Sequence, residues 1–180
     1  MAFRSSDVVA CVGAGTIGSA WAALFASHGL QVKVYDPSAH AETALRSMVT
    51  RAAMAMGRPA DELLGRLKFT TDLSDALRDV SFVQESVPEL LALKQRLYAE
   101  LDRLLPPPVV IASSTSDLPI SSIQVHCVHP ERTVVGHPIN PPYAVALVEV
   151  VGGGSTSEAT IERASIWRSE ERRVGKECRS

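Results

Sequence analysis

The sequence predicts a doubly wound α/β domain: a mostly parallel sheet with helices on both faces. Three observations carry that reading. Short apolar runs alternate with amphipathic stretches of helical length. A glycine-rich turn, GAGTIG, lies between the first apolar run and the first amphipathic stretch. An aspartate, Asp36, closes the second apolar run.

The elements follow in order. Val8 to Val12 reads as a buried strand, and Thr16 to His28 has helical spacing through Ile17, Trp21, Leu24 and Phe25 until Gly29 stops it. Val32 to Tyr35 is the second strand. Ala41 to Met56 and Ala60 to Leu67 read as two helices, with a short strand at Lys68 to Thr71 after them. Ser81 to Gln84 is a strand, and Glu89 to Leu105 a helix ended by Pro106, Pro107 and Pro108, which cannot continue it. Val109 to Ala112 is a buried strand. A short helix around Ile120 to His126 precedes two further strands, Thr133 to Gly136 and Val145 to Val151, joined by PINPPY. A last helix starts with Ser157 as its cap and Glu158 in its first turn.

Composition narrows the function. The chain has 180 residues, 46% hydrophobic and 21% charged, which gives one sizeable core and excludes disordered, collagen-like and coiled-coil chains. A net charge of -2 supplies no basic field for a phosphate backbone, so no nucleic-acid partner is expected. Cys11, Cys127 and Cys178 make no CxxC pair; no metal site is expected, and a reducing, cytoplasmic setting fits. The apolar stretch near the start is too short for a signal segment, and no run reaches the roughly 18 residues of a membrane span.

The glycine turn is the strongest local signal. In a strand–turn–helix context, Gly13 makes the tight turn, Gly15 lets the backbone approach a pyrophosphate, and Gly18 lets the helix pack closely. Around them Ala14, Thr16 and Ile17 offer backbone N–H groups at a positive helix end. Asp36, 18 residues after Gly18, can accept hydrogen bonds from an adenosine ribose and would repel a 2′-phosphate. This is a Rossmann-type dinucleotide site, with NAD preferred over NADP.

Beyond that loop, VQESVPE, LALKQRLYAELD, IASSTSDLP and VVGHPINPPYAVALVEVVGG together resemble the 3-hydroxyacyl-CoA dehydrogenase family, from about Val8 to Arg163. The likeness is nearest to the branch that contains L-carnitine dehydrogenase and the lambda-crystallin, or gulonate 3-dehydrogenase, proteins. The resemblance implies that His137 is the catalytic base, Glu149 its carboxylate partner and Ser116 the hydroxyl that binds the substrate oxygen. It also places Glu89 and Lys94 at the cofactor. The chemistry suits the residue types, because an unperturbed imidazole, with a pKa of about 6.5, can take an alcohol proton near neutrality, and a carboxylate fixes its tautomer.

Pro138 stands where the acyl-CoA members have an aromatic residue after the histidine. That detail resembles the branch acting on small 3-hydroxy acids without CoA. The expected function is therefore NAD-dependent oxidation of an L-carnitine-like or gulonate-like 3-hydroxy acid, with an acyl-CoA substrate as the alternative. A noncatalytic crystallin-like or nucleotide-sensing role is the alternative of another class. Residues 1–154 are expected to form the NAD-binding domain, and 155–167 the start of a helix leading to the family's C-terminal helical domain. That domain, which makes the family's homodimer, is expected to be missing from this chain. Residues 168–180 carry five basic and three acidic side chains with little apolar periodicity, and resemble a translated vector sequence. They are expected to be non-native and not to pack on the domain.

Overall fold

A computed structural model describes residues 7–145 and 147–165 and, as backbone, 173–176. The chain alternates strands and helices. In order they are β1 (Val8–Val12), α1 (Thr16–Ser27), β2 (Gln31–Tyr35), α2 (Ala41–Ala55), α3 (Ala60–Leu64), β3 (Leu67–Thr70), α4 (Leu73–Leu77) and β4 (Phe82–Glu85). There follow α5 (Leu91–Leu104), β5 (Val110–Ser113), α6 (Ile120–Ile123), β6 (Thr133–Pro138), β7 (Val148–Gly152), α7 (Glu158–Ser165) and β8 (Arg173–Lys176).

The strands form one sheet in the order β3-β2-β1-β4-β5-β6-β7-β8. All neighbouring pairs are parallel except β6 and β7. The order reverses between β1 and β4, and a crevice at the carboxyl ends of these two strands is where a doubly wound sheet accommodates a ligand.

Each face of the sheet carries its own core. On one, Trp21 and Phe25 stack with ring centroids 5.1 Å apart and pack with Leu45 and Val49. On the other, Tyr98, Leu101, Ile120 and Ile123 cover Ile111 and Val83. The buried positions of α2, Leu45, Val49, Ala52 and Ala53, recur at helical spacing, which is why this stretch folds as an amphipathic helix. In α5 the same spacing gives Lys94, Leu97, Tyr98, Leu101 and Asp102. The buried stripe of α5 thus begins and ends on a charge. Asp102 meets Arg132 at 2.7 Å and accepts the backbone N–H groups of Val128 and His129, so the C-terminal turn of α5 is clamped to the segment that leads into β6.

Several elements differ from expectation: the strand expected from Val145 begins at Val148, and the helix expected to reach His126 ends at Ile123. The helix expected over Ala60 to Leu67 stops at Leu64, and Leu67 already belongs to β3, where pairing with β2 outweighs local helical spacing. The short helix α4 was not expected; Asp72 caps it by accepting the N–H groups of Ser74 and Asp75. Residues 173–176, expected not to pack, pair in parallel with β7. Unpaired backbone groups on an edge strand recruit a neighbouring segment through the main chain, which composition does not report. The rest of 168–180 lies outside the described residues.

Candidate active site

The nucleotide end of the site is built from the β1–α1 turn. Gly13 adopts φ +100, and a Cβ there would stand 2.7 Å from the carbonyl oxygen of Ser86, at the end of β4. A Cβ on Gly18 would stand 1.8 Å from the Gly13 carbonyl oxygen, so only glycine lets α1 begin this close to its own turn. Gly15 is different. A Cβ there would meet nothing within 4 Å, so the demand for glycine comes from no part of the fold; it faces the open cleft.

Ala14 N donates to Asp36 Oδ2 and Ser38 N to Asp36 Oδ1, both at 3.0 Å, which fixes the carboxylate at the cleft rim; the Ala14 N–H, expected to face the cofactor, is thus already paired, and Ala14 does not line the cleft. The cleft, about 710 Å³, is lined by Gly13, Gly15, Thr16 and Ile17 on one side and Ser86, Val87 and Pro88 on the other. Open space at Gly15, free N–H groups at the first turn of α1 and a fixed carboxylate fit a dinucleotide.

The candidate catalytic end is built by strand register. His137 on β6 and Glu149 on β7 are direct partners across the antiparallel pair, so their side chains rise on the same face. His137 Nδ1 lies 3.1 Å from Glu149 Oε2, and His137 Nε2 lies 3.3 Å from Ser116 Oγ. With the Nδ1 proton donated to Glu149, Nε2 is the acceptor that faces Ser116. The structure therefore brings together all three residues that the sequence singled out for catalysis.

Glu89 and Lys94 belong to a polar chain behind Ser116. Glu89 precedes α5 instead of lying on it, and from there its Oε1 accepts the hydroxyl of Thr115 and the backbone N–H groups of Ser116 and Asp117. Lys94 is buried, with Nζ 2.7 Å from Glu85 Oε1 and 3.2 Å from Glu89 Oε2. Neither residue lines the nucleotide cleft. Burial works against the Glu89 charge, but the Thr115 hydroxyl and the Lys94 ammonium outweigh it and lower its pKa.

Two sets of residues were missed by sequence reasoning. Glu85, fully buried, accepts from Lys94, from Val87 N and from Ser113 Oγ, each at 2.7 Å. Ser114 gathers Trp21 Nε1, Gln84 Nε2 and Ser86 Oγ, and Gln84 also donates to the carbonyl of Gly136, next to His137. The available signal was a glutamate and a glutamine inside an apolar strand; a buried polar group needs partners, and here the partners tie β4, β5 and β6 together beneath the site.

The family description that matches residues 8–177 is 3-hydroxyacyl-CoA dehydrogenase, NAD binding domain. An L-carnitine dehydrogenase of Streptomyces coelicolor is 49% identical over 164 residues, covering 87% of this chain and 50% of that protein. Another of that name, from Bacillus cereus, is 42% identical and is matched over 89% of this chain and 50% of its own length. The chain thus spans about half the length of the curated relatives it matches. Among solved structures, 3-hydroxybutyryl-CoA dehydrogenase from Escherichia coli superposes with TM-score 0.83 at 30% identity, over 95% of this chain and 38% of that one. M. tuberculosis FadB2 gives TM-score 0.83 at 35% identity, over 95% and 63%. The sheet order, the glycine turn and these matches together place the chain in the family of 3-hydroxyacyl-CoA dehydrogenase NAD-binding domains, with NAD as its cofactor.

Proposed function

We propose that this chain is the cofactor-binding and base-carrying part of an NAD-dependent dehydrogenase that oxidises the 3-hydroxyl of a small L-3-hydroxy acid to a ketone. The observation that carries this reading is His137 held between Glu149 and Ser116. NAD, when bound, accepts the hydride that leaves the carbinol carbon.

The side chains do the rest. Gly13 and Gly15 hold the turn open, the first-turn N–H groups of α1 face the phosphates, and Asp36 accepts the ribose hydroxyls, disfavouring a 2′-phosphate. Ser116 Oγ and His137 Nε2 together receive the substrate hydroxyl, and Nε2 takes its proton as the hydride departs. Glu149 stabilises the imidazolium that forms. Lys94, held by Glu85, steadies Glu89, which fixes the backbone of Ser116, so both act on the bound substrate and cofactor through that backbone.

A small hydroxy acid is favoured over an acyl-CoA by Pro138 directly after His137 and by the L-carnitine dehydrogenase names of the curated relatives. Among the described residues no helix is long and apolar enough to cross a membrane, and the reading places the protein in the cytoplasm, as a homodimer in its full-length form, without nucleic acid. The test is formation of reduced nicotinamide with L-carnitine, L-gulonate and 3-hydroxybutyryl-CoA, in a protein carrying these residues joined to the second half of a curated relative. Turnover of a free hydroxy acid that His137→Gln abolishes supports the proposal. Turnover of the acyl-CoA alone, or none that depends on His137, overturns it.

A further inference from the structure

The far end of the nucleotide cleft is an apolar slot with charge at its edge. Tyr35, Pro37, Leu73, Leu93 and Leu97 form its walls, and Arg96 and Glu100, both exposed and on α5, complete the lining. These two residues are four apart on one helix. At the same spacing Glu42 and Arg46 close into an ion pair at 2.8 Å, and Arg58 and Glu62 at 2.7 Å. Arg96 and Glu100 do not: among the described residues neither has an ion-pair partner. A guanidinium and a carboxylate stand side by side at the mouth of an apolar slot, with their hydrogen-bonding capacity open to whatever enters it.

We propose that Arg96 and Glu100 read the polar edge of the adenine ring, Glu100 accepting a hydrogen bond from the 6-amino group and Arg96 donating to the adjacent ring nitrogen. The apolar walls suit a purine face, and the end of the slot then needs one acceptor and one donor. Glu100 is acceptor only and Arg96 donor only. Hypoxanthine reverses both groups: its 6-oxo oxygen would face the carboxylate and its ring N–H the guanidinium. A position built for one hydrogen-bond pattern rejects its inverse more strongly than it rewards the match. Burial, and after it the charges of Glu100, Asp36 and Asp72, push the Tyr35 phenol up, and Glu100 lines the same cleft as Tyr35.

This inference rests on the dinucleotide reading of the cleft, and the experiment separates the two. Isothermal titration of the 180-residue chain compares NAD, NADP and nicotinamide hypoxanthine dinucleotide, for the parent and for Glu100→Gln, Arg96→Met and Asp36→Asn. The parent is expected to bind NAD about five- to ten-fold more tightly than the hypoxanthine analogue, the scale of one or two exposed hydrogen bonds. Glu100→Gln, whose amide can accept or donate, should bring that ratio within about two-fold, and Arg96→Met should narrow it. Asp36→Asn should shift only the balance between NAD and NADP. Equal parental affinity for NAD and the hypoxanthine analogue, or a ratio unchanged in both α5 variants, overturns the adenine assignment while leaving the cofactor reading intact. Failure of the parent to bind any of the three dinucleotides overturns both.

Discussion

The three glycines of the turn look alike in sequence and differ in what they do, and the difference is measurable. Gly18→Ala places a methyl group 1.8 Å from a backbone oxygen, so the turn must distort; both thermal stability and NAD affinity should fall. Gly15→Ala meets nothing within 4 Å and requires no unusual backbone. Its melting temperature should stay near the parent's, while NAD affinity drops about ten-fold or more because the methyl group enters the pyrophosphate path. Equal affinity in the Gly15 variant would show that the turn is structural only. At the catalytic end, His137→Gln should cost about 10²- to 10⁴-fold in turnover with NAD affinity kept, the usual scale of general-base help, measured in the fused protein described above. Glu149→Gln should fall between, since the imidazole would remain and lose its charged partner.

Elements, not single residues, carry the stability of the site. The antiparallel pairing of β6 and β7 sets His137 opposite Glu149, and a slip of one residue would send the two side chains to opposite faces. That register is anchored from α5, through Asp102 on Arg132 just before β6. Both side chains are buried, so Asp102→Asn leaves a guanidinium without its counter-charge and should cost about 3 kcal/mol in urea unfolding. The pH dependence follows from the sign of the shift. Burial opposes the Asp102 charge, but Arg132 and the N–H groups of His129 and Val128 outweigh it and lower the pKa in the folded state. A carboxyl lowered on folding stabilises above its unfolded pKa and loses that contribution as pH falls through the folded value. Glu89 acts in the same direction from an ordinary value of 4.5. Stability should therefore decline in acid below about pH 4.5, and Asp102→Asn should flatten that decline. Parallel parent and variant curves would remove Asp102 from the account.

At the scale of the molecule, the cleft is assembled by the reversal of strand order between β1 and β4, and its lining comes entirely from residues 13 to 100. The 180-residue chain should therefore bind NAD by itself. At a free concentration of 100 times Kd, one site raises unfolding free energy by about 2.7 kcal/mol, so a rising melting temperature with NAD, and a smaller rise with NADP, is expected in a thermal titration. No dependence on NAD would remove the cofactor reading of the cleft. At the other edge of the sheet, β8 pairs with β7 through the backbone. Amide exchange at residues 173–176 should be slower than in an unstructured peptide of the same sequence; equal rates would return this segment to an unpaired tail.

The sequence by itself determined the alternation of strands and helices and the dinucleotide turn with Asp36, and it singled out His137, Glu149 and Ser116, which the fold brings within hydrogen-bond distance. Those are legible because apolar periodicity and glycine at sterically forced positions are local properties, and because the order of the motifs resembles one family. The tertiary structure alone decided that Lys94 is a buried ion beneath Ser116 and not a solvated helix residue, that Glu85 is its partner, and that residues 173–176 join the sheet. Lys94 and Glu85 lie nine residues apart on different elements, and a charge inside an apolar stripe has no local signature that says which opposite charge will meet it. Pairing of buried charges and of strand edges is settled only when the chain closes on itself, because the energy that fixes them, desolvation balanced against a partner at hydrogen-bond distance, does not exist until both groups leave water.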